Sequence, residues 1–248
     1  MKIFAVYSSK GGVGKTAAAV NLSYSAALCG RRVLLCDLDA QGAASYYFRI
    51  KPAKKYNGKK LLNGNLMKFI RASDYENLDM LPAHFSFRNL DLALAKLEGD
   101  KRKRALRNLF MTLADEYDVL IMDCPPNMTL LSENIILAAD SLVTPVIPTT
   151  LSLVALDQLL KMINKVGVDE SRINAFFSMV EHRKNMHRDI ISRYRKYRIF
   201  RETQIPYLAE VEKMGLYRQP VGAISASSQA AQYYAGLWQE LWDRSNSE

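Results

Sequence analysis

One segment constrains this chain more than any other: Lys10-Gly11-Gly12-Val13-Gly14-Lys15-Thr16. It follows a short apolar run, Ile3–Tyr7, and leads into a stretch of helical period beginning at Ala17. Without side chains at positions 11, 12 and 14, the backbone can wrap an anion and aim its N–H groups inward. The N-terminus of the following helix adds partial positive charge at the same place. The general phosphate-loop pattern GxxxxGK[ST] is met from Ser9 to Thr16 except at its first glycine, which is Ser9. In that pattern Gly11, Gly12, Val13 and Gly14 form the cradle. Lys15 bridges the β- and γ-phosphates, and the Thr16 hydroxyl binds Mg²⁺.

The rest of the chain repeats the strand-then-helix rhythm. Apolar runs bounded by turn residues are expected as strands at Ile3–Tyr7, Val33–Asp37, Leu78–Leu81, Val119–Asp123, Leu142–Ile147 and Ile173–Met179. Helical periods lie between them at Ala17–Cys29, Leu90–Leu97, Lys103–Glu116, Leu130–Ala138 and Val154–Val166. Strands that are apolar throughout suit a sheet buried on both faces. The alternation predicts an α/β fold: a doubly wound, mostly parallel sheet with helices on both faces, of the P-loop NTPase type. No repeat, low-complexity stretch or linker divides the chain, so residues 1–248 are expected to form one domain. A last helix is expected over Ala226–Asp243, with Ala230, Tyr234, Leu237, Trp238 and Leu241 as a core-facing stripe.

Composition narrows the class. The chain is 49% hydrophobic and 24% charged, which excludes a disordered, fibrous or disulfide-stapled protein. Cys29, Cys36 and Cys124 are scattered, with no CxxC pair, and read as buried free thiols in a reducing compartment rather than a disulfide or zinc site. The apolar start meets Ser8-Ser9-Lys10 too soon for a signal peptide, and no run approaches a membrane span of ~18 residues. The expected location is the cytoplasm. His84, His182 and His187 form no ligand constellation and read as surface or packing residues.

At this point the sequence resembles the ParA/MinD family of deviant Walker A ATPases, closest to the ParA-type partitioning and positioning members, whose signature is KGGxGKT. The resemblance implies that Lys10, the deviant lysine, reaches across a dimer to the nucleotide of the other subunit. It implies an ATP-dependent sandwich homodimer. Asp37-Leu38-Asp39-Ala40-Gln41-Gly42 is similar to the family's DxDxQG switch, which makes Asp39 the carboxylate that orients or activates the hydrolytic water. Val119-Leu120-Ile121-Met122-Asp123 matches a Walker B strand, whose aspartate would hold Mg²⁺ through water. Lys10, Lys15 and Asp39 are thus the expected catalytic residues, with Thr16 and Asp123 at the metal. Ser178-Met179 with Asn185, Ile205-Pro206 and Pro220-Val221 resemble later family segments, giving Met179 and Pro206 as adenine contacts. The family usually has threonine where this chain has Ala17, so one hydroxyl contact to the α-phosphate is missing. Ala40 and Ala43 stand where proline and asparagine are usual, which suggests a looser switch.

Lys+Arg 34 against Asp+Glu 25 gives a formal net charge of +9, a surplus that points to an anionic partner. Members of the family differ in the surface that the ATP-bound dimer grips. Residues 182–201 carry Arg183, Lys184, Arg188, Arg193, Arg195, Lys196, Arg198 and Arg201 against a single Asp189. Read as a helix, this stretch has an inner stripe of Met186, Ile190, Tyr194 and Tyr197, with Lys184, Arg188 and Arg195 opposite. Lys184, Arg188, Arg193, Arg195, Lys196 and Arg198 are the expected contacts to DNA phosphates. Ser227-Ser228-Gln229-Ala230 lacks the arginine that many DNA-binding members carry in the last helix. Lys51, Lys54, Lys55, Lys59 and Lys60 fall in an expected loop as a secondary basic surface.

The C-terminal stretch Leu237 to Glu248 is acidic overall and lacks the basic flank of a MinD-like membrane helix. The resulting expectation is a slow, partner-stimulated ATPase that uses ATP and Mg²⁺ and binds non-specific DNA. It would associate with the nucleoid and respond to a ParB-like or cargo-adaptor protein in positioning a plasmid, chromosome or protein assembly, without a membrane. A MinD-like membrane-associated spatial regulator is the alternative. A metal-cluster carrier would need paired cysteines, a tyrosine-kinase relative a tail cluster of tyrosines, and a dethiobiotin-synthetase-like ligase would not need Lys10.

Overall fold

Apolar β-branched residues at successive positions can be satisfied only if both faces of a strand are covered, and the strands of this chain are covered on both. The structure, a computed structural model, describes residues 1–63 and 65–247. Among these residues the strands are β1 (Lys2–Val6), β2 (Val33–Asp37), β3 (Arg71–Ala72), β4 (Leu78–Leu81), β5 (Val119–Asp123), β6 (Ser141–Val146) and β7 (Ile173–Phe177). The helices are α1 (Lys15–Leu28), α2 (Ala43–Tyr47), α3 (Gly58–Asn63), α4 (Leu90–Ala95), α5 (Gly99–Lys103) and α6 (Ala105–Met111). They continue with α7 (Leu130–Ala138), α8 (Thr150–Val166), α9 (Asn185–Tyr194), α10 (Ala209–Tyr217), α11 (Val221–Ile224) and α12 (Gln229–Ser247).

The sheet order is β3-β4-β2-β5-β1-β6-β7, parallel throughout except for β3, which runs antiparallel to β4. From β1 the chain first builds the sheet toward β4, then from β6 builds it the other way. The crevice at the C-terminal ends beside β1 is therefore the topological switch point, where doubly wound sheets bind ligands. Ile3, Ala5, Leu34, Cys36, Leu120 and Met122 face one helix layer, which supplies Leu94, Phe110, Ile135, Leu159 and Ile163. Phe4, Val6, Val33, Leu35, Val119 and Ile121 face the other, built from α1, α10 and α12. The expected stripe of the last helix is there: Ala230, Tyr234, Leu237, Trp238 and Leu241 are buried, and Trp238 packs edge-on against Phe4 at 5.4 Å.

Several elements differ from the sequence expectation. Lys103–Glu116 is not one helix: α5 and α6 meet at Arg104, and α6 ends at Met111. Buried Leu106 and Phe110 anchor α6, whereas α5 buries nothing and so has no packing to hold it in line. Lys59 and Lys60 lie in α3 rather than in a loop. Cys29 is exposed, because it caps α1 just before the chain turns at Gly30 (φ +74°). The helix within residues 182–201 covers only Asn185–Tyr194, because the chain must return to the edge of β7. There Phe200 bridges Ala175, and the Arg201 N–H donates to the Ala175 carbonyl at 2.7 Å. The helix is also rotated: His187 and Ile191 are buried, with Ile190 and Tyr194 half-buried, while Met186 and Tyr197 are exposed.

Candidate active site

The loop from Ser8 to Gly14 leaves the C-terminal end of β1 and enters α1. Gly12 and Gly14 have φ of +70° and +92°, backbone that side chains rarely adopt. Gly14 is the N-cap of α1 and supplies no side-chain cap, so the N–H groups of the first turn are left for an anion. Lys15 folds back over the loop, and its buried ammonium donates to the Lys10 carbonyl at 3.0 Å. Burial pulls its pKa down, opposed by the charges of Asp123, Cys124 and Asp39. A cation held this way, short of partners and close to carboxylates, is suited to take a phosphate.

Asp37 and Asp123 end β2 and β5 at the same register position, and both are buried. One oxygen of Asp37 accepts from the Ser45 N–H at 2.8 Å and the Ser45 hydroxyl at 2.7 Å. Its other oxygen, Oδ1, and both oxygens of Asp123 have no hydrogen-bond partner. Burial first, and then the neighbouring Asp37, push the Asp123 carboxyl well above the usual carboxylate range; Thr16 and Lys15 draw it partly back. Buried carboxylate oxygens require a partner, and a hard divalent cation is the partner that suits oxygen alone. Among the described residues no group of three His, Cys, Asp or Glu side chains could hold a metal. That fits Mg²⁺, which keeps waters and shares substrate phosphates instead of using an all-protein cage. Asp123 and Thr16 would hold it there.

Asp39 lies on the turn between β2 and α2. Its carboxylate accepts from the Gln41 N–H at 3.0 Å and its carbonyl from the Gly42 N–H at 2.9 Å. It lines a cavity shared with Pro125, Pro126 and Asn127 from the loop after β5. Lys10 sits at the other side of the loop, its ammonium donating to the Ser152 hydroxyl at 2.9 Å, which also accepts from Thr149 at 3.1 Å. Gly14, Ala17, Met179 and Pro206 line a second cleft together with Ile205 and Tyr207. A bridge between Val180 and Pro206 holds its two walls in register. A Cβ on Gly14 would stand 3.1 Å from the Ser178 hydroxyl, so this wall fits closely against the loop.

The structure thus brings the predicted residues of the loop, switch, strand end and second cleft to one edge of the sheet. The basic residues lie apart from them, on and beyond α9. Arg193, Arg195, Lys196 and Arg198 are exposed beyond or at the end of that helix. Lys184 pairs with Glu181 at 2.5 Å, and Arg188 donates to Asn185 at 2.5 Å. Sequence reasoning did not assign roles to Asp37, Ser45, Thr149 or Ser152. Asp37 was findable, as the first carboxylate of the D-x-D pair. Thr149 and Ser152 carry no local signal, because only the pairing of β1 with β6 brings them to Lys10.

Comparison with known proteins gives the same picture. A family model described as an AAA domain matches residues 1–178. The sporulation initiation inhibitor protein Soj of Bacillus subtilis is 30% identical over 254 residues, covering 97% of this chain and 98% of its own. A plasmid partition protein from Borrelia burgdorferi bound to AMPPNP superposes with a TM-score of 0.82 at 20% identity, covering 98% of each chain. A cobyrinic acid a,c-diamide synthase from Mycobacterium smegmatis, with bound ADP and magnesium, also reaches 0.82 at 24% identity, covering 100% of this chain and 96% of its own. The scaffold alone is therefore shared by different enzymes. The full-length similarity to Soj, taken with the family match and the KGGVGKT loop, decides between them: the chain belongs to the ParA/MinD family of P-loop ATPases.

Proposed function

We propose that this ATPase binds ATP with Mg²⁺, closes into a sandwich homodimer through Lys10, and in that state grips DNA non-specifically to position a cargo. Asp39 orients the hydrolytic water. A ParB-like or adaptor protein bound to the cargo stimulates hydrolysis and release, and the dimer resides on the nucleoid. Met179 and Pro206 flank the adenine, and Ala17 leaves its α-phosphate contact to the backbone. The observation that carries the DNA reading is the exposed cluster of Arg193, Arg195, Lys196 and Arg198, which has no acidic side chain among its own residues. A row of exposed cations in strand-end and helix-end positions suits phosphates and gives salt-dependent affinity. Relatives at 30% identity named Soj and chromosome partitioning protein ParA support the same reading.

The MinD-like alternative is disfavoured by α12. Its apolar face, including Leu237, Trp238 and Leu241, is already buried against the sheet and α1. No described helix is long and apolar enough to cross a membrane. The experiment that tests the proposal is binding to random-sequence duplex DNA with ATP, ADP or no nucleotide at two salt concentrations, using the wild type and Asp39→Ala. Tight, salt-sensitive binding with ATP alone is expected. ATP hydrolysis without DNA binding under any of these conditions would remove DNA from the reading and turn attention to lipid or a protein scaffold.

A further inference from the structure

The turn that carries Asp39 and the second cleft are connected by a clasp between two helix ends. α2 starts directly after Gly42, the end of the Asp39 turn, and its own start is tied to Asp37 through Ser45. α10 starts directly after Pro206, Tyr207 and Leu208, which line the cleft assigned to the base. The C-terminal ends of the two helices meet. Arg218, which caps α10, donates from Nε to the Tyr46 carbonyl in α2 at 3.0 Å, and its guanidinium lies 4.3 Å over the Tyr46 ring. Arg49, just past α2, donates from Nη2 to the Tyr217 carbonyl, the last of α10, at 2.8 Å. Each helix end thus receives a cation carried by the other, the favourable sign for a helix C-terminus.

The backbone adds a second observation. Arg49 and Arg218 have φ of +57° and +56°, left-handed conformations that glycine enters freely and arginine does not. Two strained arginines, each bonded to the other's helix, indicate that the clasp itself is what the site requires. Tyr47 lies on the same path. It packs half-buried in the core with Tyr234, which lines the base cleft. Burial raises its phenol pKa, and the nearby Asp123 carboxylate raises it further.

We propose that Arg49 and Arg218 are positioning residues for hydrolysis: by clasping α10 to α2 they couple the cleft for the base to the turn that aims Asp39. The proposal rests on the reading of Asp39 and of that cleft given above. A base that seats the start of α10 then also fixes the far end of α2, so Asp39 is held in its working orientation only when nucleotide fills the site.

The test uses the full chain with Arg49→Gly, Arg218→Gly and the double variant. Glycine removes the cation and relieves the backbone, so these variants are expected to melt at or above the wild-type temperature. Single-turnover ATP hydrolysis is expected to fall about fivefold to tenfold, with affinity for a fluorescent ATP analogue held within about twofold. The double variant should be no slower than the slower single, since one clasp is lost in each case. Arg49→Lys, which can still donate to one carbonyl, should recover much of the rate. Wild-type turnover in the glycine variants would overturn the proposal, as would a loss of affinity equal to the loss of rate. Asp39→Ala is run beside them. If it turns over normally, the Asp39 reading itself fails; if it stalls while the glycine variants do not, only the clasp fails.

Discussion

Asp123 and Asp37 are the residues at which this site is least stable by itself. Both carboxyls are pushed up, chiefly by burial and then by a neighbouring carboxylate: Asp37 acts on Asp123, and Asp39 on Asp37. Each therefore binds its proton more tightly in the folded chain than in the unfolded one. The folded state then holds the extra protons, and stability falls as pH rises from the ordinary carboxylate range toward the raised values. Without nucleotide or Mg²⁺, the melting temperature should therefore drop between about pH 4 and pH 7. Asp123→Asn should reduce that drop and stabilise the free protein at pH 7 by about 1–3 kcal/mol, while abolishing Mg²⁺-dependent hydrolysis. A variant that is less stable than wild type across this range would show that the carboxylate is satisfied by something other than the cation. Lys15→Gln should abolish ATP binding in an equilibrium titration, because its ammonium is the buried cation of the loop. Retained tight binding would remove Lys15 from the phosphate site. At this scale the sequence was informative wherever chemistry sits in a contiguous motif. Lys10, Lys15, Thr16, Asp39 and Asp123 could be picked out, but Ser152, Arg49 and Arg218 could not, because their contacts join segments distant in sequence.

At the scale of elements, α9 is the one whose surface sets a testable property. Its buried face is His187 and Ile191, and the His187 ring accepts from the Glu181 N–H at 3.1 Å, which fixes the turn into the helix. That leaves Arg193 on the solvent side and turns Arg195, Lys196 and Arg198 outward past the helix end. Substituting Arg193, Arg195 and Lys196 by Glu should weaken DNA binding alike across sequences and leave ATP affinity unchanged. The slope of log affinity against log salt should fall by about three, one per lost phosphate contact. A loss confined to some sequences would mean that these side chains read bases. The strands and long helices were legible because their apolar runs fill both sides of the sheet. Helices of four to six residues, such as α2, α3 and α11, were not, since so few residues define no period and are held by tertiary contacts instead. The boundaries of α9 were missed for a related reason: its basic residues continue past Tyr194, while pairing with the edge of β7 pulls the backbone out of the helix by Phe200.

For the whole molecule, the question is whether Lys10 serves its own subunit or another. Here its ammonium rests on Ser152 of the same chain, through one hydrogen bond between a cation and a hydroxyl. Breaking such a bond costs about 1.5–3 kcal/mol, which is small beside what a specific interface of ~1,200–2,000 Å² can supply. The contact is therefore compatible with a lysine that changes partners on dimerisation. A dimer would also place two copies of the α9 cluster on one DNA, and linking two weak sites raises overall affinity by about 10²–10⁴-fold where the geometry allows both to engage. Dimerisation and DNA affinity should then be lost together. In an Asp39→Ala background with ATP, sedimentation should give a dimer that binds DNA tightly. Adding Lys10→Ala should return it to a monomer with ATP affinity preserved and DNA affinity reduced to that of a single cluster. If the Lys10→Ala, Asp39→Ala protein still sediments as a dimer with ATP, Lys10 acts within its own subunit, and the dimer must be held by a surface elsewhere on the fold.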